Sequence, residues 1–219
     1  MKPKLVIFDV DGLMLDTEAR WQEAWQIVGE KHQIEDLGKE TFLKCVGRSG
    51  KVVEDTVKEE LAGMNVNALN ILEECRVLGA KLLDERIDAK PGIYELLNVL
   101  DEMGIHKAVA TTTMRALTIE RLTRLNLIDR FDYLLCGDEV NERKPNPEIY
   151  QKVLKYFDIS PQDALVLEDS FVGVEAAYRA HIPCVMVPDL LPPQSKQREE
   201  TIAIVSSLGD VIQLLDDTQ

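Results

Sequence analysis

The sequence predicts an α/β protein in which a doubly wound parallel sheet is interrupted by an inserted block of helices. From Pro91 onward, short apolar runs alternate with helical patterns, as in consecutive βαβ units. The run Leu5–Phe8 is continuously apolar and rich in β-forming residues, as expected for a strand buried on both faces. Only helical patterns follow it up to residue 88. We therefore expect an α/β core domain of residues 1–16 and 89–219 and a helical cap domain of residues 17–88.

Length and composition favour a globular protein and exclude some partners. The chain has 219 residues, of which 45% are hydrophobic, and this is sufficient for a sizeable core. Its 25 basic and 39 acidic residues give a formal charge of −14. Nucleic acids and acidic membranes would be repelled over most of such a surface. An anionic substrate would therefore need cations placed locally at its site.

The cysteines and the N-terminal residues predict a cytoplasmic location. Cys45, Cys75, Cys136 and Cys184 lie far apart and form no C-x2-C pair, so neither a zinc site nor a disulfide framework is indicated. Free thiols fit a reducing compartment. The N-terminal residues lead directly into the first predicted strand, without a signal-peptide pattern, and no apolar run approaches the length of a membrane span.

The remaining elements follow from hydrophobic periodicity. Trp21, Ala24, Trp25 and Val28 recur at helical spacing, which predicts an amphipathic helix over Glu18–His32. Further helices are predicted over residues 50–62, 67–86, 93–103, 115–126, 171–180 and 208–215, and another begins near Pro147. Strands are predicted over residues 107–111, 133–136, 164–168, 184–187 and 202–205.

Asp9 and Asp11 follow the first strand and are the first candidate site residues. The carboxyl ends of strands in an open α/β sheet form the ligand crevice, so both carboxylates are expected at its mouth. Carboxylates held this close repel each other, and a hard cation such as Mg²⁺ relieves the repulsion. Alternatively, Asp-x-Asp-Gly forms only a turn, since Asp and Gly are common in turns.

A second group of hydroxyls ends the predicted strand at Thr111. A threonine hydroxyl and the N–H groups of the following turn can hold phosphate oxygens. Thr111 is the better candidate for this role. For Thr113, a local role as a strand or helix-capping residue is favoured.

Two later segments carry a lysine and a second carboxylate pair. Lys144 precedes Pro145, which fixes the local backbone, and it could neutralise a carboxylate and a phosphoryl group, although most lysines are solvated surface charges. Glu168 and Asp169 end another apolar strand, where Asp169 could complete a metal site. A helix N-cap is the alternative for Asp169 and Ser170, but it leaves a glutamate at a buried strand end unexplained.

Together these segments resemble the four ordered motifs of the haloacid dehalogenase superfamily of phosphotransferases. The matching segments are Asp9-Val-Asp11-Gly12-x3-Asp16-Thr17, Thr111, Lys144-Pro145-Asn146-Pro147 and Glu168-Asp169-Ser170-x2-Gly173. The resemblance covers residues 1–17 and 88–188. The inserted helices are similar to those of the branch that contains β-phosphoglucomutase and phosphoglycolate phosphatase.

The resemblance implies a catalytic role for three residues. Asp9 is the expected nucleophile, which is ionised at neutral pH and forms an aspartyl-phosphate. Asp11 is the expected general acid and then general base. Lys144 is expected to offset the charge of the nucleophile and of the transition state. Relatives that dehalogenate lack the residue equivalent to Asp11, so its presence favours phosphoryl transfer.

The resemblance also implies the binding residues. Mg²⁺ is expected on Asp9, Asp169 and the main-chain carbonyl of Asp11, with Glu168 supporting that site directly or through water. Thr111 and the N–H of Thr112 are expected to bind the phosphoryl oxygens.

Three functions remain open at this point. The first is a phosphatase of a small phosphorylated metabolite, acting as a monomer or weak dimer. The second is a phosphosugar mutase, but β-phosphoglucomutases usually carry a histidine where this sequence has Trp21, a residue whose spacing is also typical of a core tryptophan. The third is a catalytically silent binding protein. Arg48, in a loop flanked by Gly47 and Gly50, is the candidate substrate contact outside the core domain.

Overall fold

The computed structural model describes residues 2–48 and 50–216, which form two compact units. The sheet unit comprises the residues up to Leu15 and those from Asp88 onward, and the helical unit comprises Asp16–Ile87. The domain boundaries that the sequence predicts lie one residue further along the chain at each junction.

The helical unit is built on a pair of long helices, the first and last of the four α-helices described in it. These are α1 (Thr17–His32), α2 (Phe42–Cys45), α3 (Lys51–Glu60) and α4 (Ala68–Glu85). Helix α1 packs along α4, and its buried Trp25 lies 5.4 Å from Phe42, measured between ring centroids. A π-helical turn, Leu37–Thr41, leads into α2. The sequence analysis predicts neither of these short elements, because each is too short to show a period.

The sheet unit contains, among the described residues, six parallel strands in the order β3-β2-β1-β4-β5-β6. They are β1 (Leu5–Phe8), β2 (His106–Ala110), β3 (Tyr133–Leu135), β4 (Ala164–Glu168), β5 (Cys184–Met186) and β6 (Ala203–Ile204). Central strand β1 pairs with β2 on one side and β4 on the other. The strand order reverses at this point, which is where open α/β sheets bind their ligands.

Helices cover both faces of the sheet. They are α5 (Ile93–Glu102), α6 (Arg115–Arg124), α7 (Glu148–Phe157), α8 (Phe171–Arg179), α9 (Ser195–Glu200) and α10 (Leu208–Asp216). Leu5 and Ile7 join one buried cluster with α7 and α8, and Val6 and Phe8 are buried as well. Burial of each such side chain contributes ~1.5–3 kcal/mol, which explains the continuously apolar strand.

The predicted fold class, a doubly wound parallel α/β sheet with inserted helices, is confirmed. The sequence analysis does not predict α9, because its residues, Ser195–Glu200, are all polar and carry no apolar period. Over residues 2–48 and 50–216, no helix combines the length and the apolar character needed to cross a membrane. The four cysteines are buried as free thiols.

Candidate active site

Strand β1 delivers Asp9 to the carboxyl edge of the sheet. The Asp9 N–H donates to the Leu167 carbonyl at 3.1 Å, which continues the pairing of β1 with β4 by one residue. The chain then turns at Gly12, whose φ of +86° favours glycine. A Cβ atom at Gly12 would overlap Asp169 Oδ2, so the turn also leaves room for that carboxylate.

Lys144 is the centre of the buried charges. Its Nζ donates to Asp9 Oδ1 at 2.6 Å, to Glu168 Oε1 at 2.6 Å and to the Ala110 carbonyl at 2.8 Å. The side chain is only 2% exposed, so all three ammonium donors are used inside the protein. The structure therefore brings together three residues that the sequence nominates from three separate segments: Asp9, Lys144 and Glu168.

Glu168 ends β4 with its carboxylate fully engaged in hydrogen bonds. Oε1 accepts from Lys144 and from the Tyr150 hydroxyl, the latter at 2.7 Å. Oε2 accepts from the N–H groups of Asp169 and Ser170 at 3.2 and 3.3 Å and from Ser170 Oγ at 3.0 Å. These bonds explain how a carboxylate with no solvent exposure is tolerated at a strand end.

Ser170 has a second, local role, since its Oγ accepts from the Gly173 N–H at 3.1 Å and caps α8. The N-cap interpretation therefore holds for Ser170, alongside its contact with Glu168. Gly173 lies directly against this carboxylate: a Cβ atom there would overlap the Glu168 carboxyl group.

Burial and neighbouring charges shift the ionisation of the buried groups. Burial raises the pKa of Asp9 to about 7, although the charge of Lys144 opposes the shift. Burial thus favours the neutral acid, whereas the Lys144 ammonium group 2.6 Å away favours the carboxylate, as a bound cation would. Burial lowers the pKa of Lys144, but the charges of Asp9 and Glu168 outweigh burial and raise it above its ordinary value.

Three carboxylates could hold a metal ion. Asp9, Glu168 and Asp169 each offer one oxygen, and these oxygens lie within 4.8 Å of one another. An all-oxygen donor set suits a hard cation such as Mg²⁺. The five hydrogen bonds to Glu168 favour a supporting role for that residue beside Asp9 and Asp169.

The Asp11 carboxylate contacts Arg121, which the sequence analysis misses, and Thr113, for which it favours a local role. Arg121 Nη1 donates to Oδ1 at 2.7 Å, and Thr113 Oγ1 donates to Oδ2 at 2.6 Å. Thr113 therefore has more than the local role expected of it. Arg121 lies with Thr118 and Leu122 on the buried face of α6, and a charge at such spacing is the signal that could have identified it.

The predicted phosphate-binding residues follow β2. Thr111 is buried, and its Oγ1 accepts from the Thr113 N–H at 3.1 Å. The Thr111 N–H donates to the Leu135 carbonyl, which fixes the backbone at the sheet edge. Thr112 is exposed. Thr111 thus shapes the turn that the sequence analysis predicts to bind phosphate oxygens, and Thr112 is open to solvent.

Comparison with known proteins identifies the family. A family model described as haloacid dehalogenase-like hydrolase matches residues 6–187. The chain belongs to this family. It is 36% identical over 180 residues to a phosphorylated carbohydrates phosphatase of Thermotoga maritima, a match that spans 81% of each chain. The predicted recognition and the predicted phosphatase class are confirmed by these two matches.

Solved structures of the family share the fold. CbbY from Rhodobacter sphaeroides, solved in complex with phosphate, is 26% identical and has a TM-score of 0.71, covering 98% of this chain and 99% of its own. A β-phosphoglucomutase from Clostridium difficile is 24% identical and has a TM-score of 0.72, and the match covers 99% of this chain and 98% of the mutase. At that identity the second likeness concerns the fold alone.

The helical unit of this haloacid dehalogenase-like hydrolase contains two residues discussed in the sequence analysis. They are Arg48, the candidate substrate contact, and Trp21, which stands where β-phosphoglucomutases usually carry a histidine. Arg48 is exposed between α2 and α3, and its N–H donates to the Cys45 carbonyl at 3.0 Å. Trp21 packs against α4 at Gly79, where a Cβ atom would overlap the indole ring. Trp21 therefore contributes to packing within the helical unit, as its spacing suggested.

The loop that carries Lys144 is held by Glu148 at the start of α7. Its carboxylate bonds Lys152 at 2.7 Å and accepts from the N–H groups of Asn141 and Glu142 at 3.0 and 2.8 Å. The hydrogen bond from Lys152, followed by those two N–H groups, lowers the pKa of Glu148 from 4.5 to about 2. Because the folded pKa is the lower one, Glu148 stabilises the fold fully above about pH 4.5, and this contribution is lost as the pH falls toward 2.

We expect Glu148→Gln to destabilise this hydrolase at pH 7 but to have little effect near pH 2. The comparison is urea unfolding of both proteins at several pH values, with Glu102→Gln, at an exposed position of α5, as the control. A stability difference that stays constant from pH 7 to pH 2.5 would show that the Glu148 charge is not what holds the loop.

Proposed function

We propose that this chain is a Mg²⁺-dependent phosphatase of a small phosphomonoester, of the sugar phosphate class, that acts through an aspartyl-phosphate on Asp9. The observation that carries the proposal is that the buried Lys144 contacts Asp9. A second aspartate, Asp11, follows two residues later at the same strand end. The phosphorylated carbohydrates phosphatase among the relatives supports the substrate class. In this proposal, the sheet unit performs the chemistry in the cytoplasm as a monomer or weak dimer, without nucleic acid or membrane as a partner.

The proposed reaction has two displacements. A carboxylate oxygen of Asp9 attacks phosphorus, and the bond from phosphorus to the ester oxygen breaks as Asp11 gives that oxygen a proton. Asp11 then takes a proton from water, whose oxygen attacks the phosphorus and releases phosphate from Asp9. The enzyme returns to its starting state with one ester hydrolysed.

Lys144 and the turn after β2 stabilise charge in this scheme. The Lys144 ammonium group lies 2.6 Å from Asp9 and offsets the negative charge that accumulates when the carboxylate attacks the phosphoryl group. The Thr111 hydroxyl and the Thr112 N–H bind the phosphoryl oxygens. Without these fixed donors, the overall charge of −14 would repel an anionic substrate.

Mg²⁺ fits the donor set at this strand end. Asp9, Asp169 and the main-chain carbonyl of Asp11 would hold the ion, with Glu168 supporting them. When bound, the ion would polarise a phosphoryl oxygen and offset transition-state charge. The helical unit is proposed to serve as the substrate cap, with Arg48 contacting the part of the substrate that does not react.

The first test is phosphate release from sugar phosphates, phosphoglycolate and nucleotides with Mg²⁺ or with EDTA. We expect metal-dependent release that falls at least ~10³-fold in Asp9→Asn, because the amide cannot act as the nucleophile. Asp163→Asn, which alters a surface ion pair with Lys4, serves as the matched control and should keep full activity.

The same panel separates the alternatives. Interconversion of glucose 1-phosphate and glucose 6-phosphate without net phosphate release would identify a mutase in spite of Trp21. Silence in both assays, with either metal condition, would favour a binding protein that has kept the fold without turnover.

A further inference from the structure

Two residues outside the mechanism above hold the Asp11 carboxylate by both oxygens. Arg121 Nη1 lies 2.7 Å from Oδ1, and Thr113 Oγ1 lies 2.6 Å from Oδ2. The Asp11 side chain is 20% exposed, so solvent still reaches a carboxylate that is otherwise fixed by the protein. The two contacts leave the carboxylate little freedom to rotate while part of it stays accessible.

Arg121 is an unusual residue for its position in the fold. Its side chain is 8% exposed and shares the buried face of α6 with Thr118 and Leu122. A guanidinium is always charged, and its burial is costly unless it is paired. The pair with Asp11 spans 110 positions in sequence and joins the turn after β1 to the helix after β2.

We propose that Arg121 is a positioning residue for Asp11, holding this carboxylate in one orientation throughout the reaction. The inference rests on the proposed function, since Asp11 needs a fixed orientation only if it exchanges protons. Arg121 can only donate and so stays on Oδ1. Thr113 Oγ1 donates to Oδ2 and leaves the second lone pair of that oxygen for the proton that Asp11 exchanges. The same side-chain orientation therefore persists whether or not Asp11 carries the proton.

Pre-orientation matters most when the leaving group needs a proton. Without Arg121, the Asp11 side chain regains rotational freedom, and proton transfer to the ester oxygen slows. Phenyl phosphate and p-nitrophenyl phosphate separate this effect from general damage, because the two esters have similar shapes. The phenolate ion is the more basic leaving group and depends more on the acid, whereas nitrophenolate departs with little help.

We expect Arg121→Met to lower kcat/KM for phenyl phosphate by ~10- to 100-fold and that for p-nitrophenyl phosphate by less than ~3-fold. Arg121→Lys should restore part of the loss, because an ammonium can still donate to Oδ1. Arg124→Met, on the same helix at a more exposed position, is the matched control and should leave the ratio of the two esters unchanged. Circular dichroism and urea unfolding report whether each variant is folded.

Thr113→Val tests the same inference if Arg121→Met does not fold, and it should shift the ratio in the same direction. Equal losses for both esters in these variants would overturn the inference and leave the phosphatase intact, because the unaltered protein would still require Asp9. If the unaltered protein releases phosphate from neither ester, the proposed function fails and the inference fails with it.

Discussion

Replacing Lys144 with methionine is expected to lower the free energy of unfolding by ~3–5 kcal/mol and the phosphatase activity by at least ~10²-fold. The ammonium group contacts Asp9 and Glu168 at 2.6 Å each, and its removal leaves two carboxylates facing each other with little access to water. Activity falls because the charge gathered at Asp9 during phosphoryl transfer loses its nearest cation. Urea unfolding and steady-state kinetics measure the two effects separately.

Lys107→Met is the matched control for that experiment. Lys107 is also buried, with an 8% exposed side chain, but its partner Asp101 is 45% exposed and also pairs with Arg130. Asp101 can therefore be solvated when the lysine is lost, and we expect a change of about 1 kcal/mol or less with unchanged activity. If Lys144→Met proves as mild as the control, the account of Lys144 as the central buried charge is wrong.

The fold could be predicted because a two-sided sheet leaves a strong signal in sequence. A strand such as Ala164–Glu168 is buried along its whole length, so selection for burial acts on consecutive residues and produces a visible apolar run. Amphipathic helices such as α7 are similarly visible through their period. Elements shorter than two turns, such as α2 and α9, carry too few residues for a period and are fixed by their neighbours instead.

Sequence analysis could predict only those site residues whose position at the end of a strand is itself visible in the sequence. Asp9, Thr111 and Asp169 each end or follow a strand, and the carboxyl ends of parallel strands meet at one edge of the sheet. Arg121 and Tyr150 lie inside helices, where the spacing shows which face is buried but not which atom on that face meets a carboxylate. Such contacts depend on how the helices pack and have no local signature.

Replacing Gly173 with alanine is expected to destabilise the protein by ~2–4 kcal/mol and to reduce activity. Helix propensity alone predicts the opposite sign, since alanine in place of glycine favours a helix by ~0.8–1.0 kcal/mol. The added Cβ atom would overlap the Glu168 carboxyl group, which cannot move aside without losing its bonds to Lys144, Tyr150 and Ser170. The loss of several buried hydrogen bonds outweighs the gain in propensity, so the sign of the change decides between the two arguments.

Gly209→Ala, in α10, provides the comparison in which propensity should win. A Cβ atom at Gly209 would have its nearest neighbour, Ser207 Oγ, at 3.5 Å, an ordinary contact. We expect this variant to be unchanged or more stable by up to ~1 kcal/mol, with full activity. If Gly173→Ala behaves like Gly209→Ala in urea unfolding and turnover, the Glu168 carboxylate is free to move, and the rigid buried network around Lys144 is not what holds Asp9 in place.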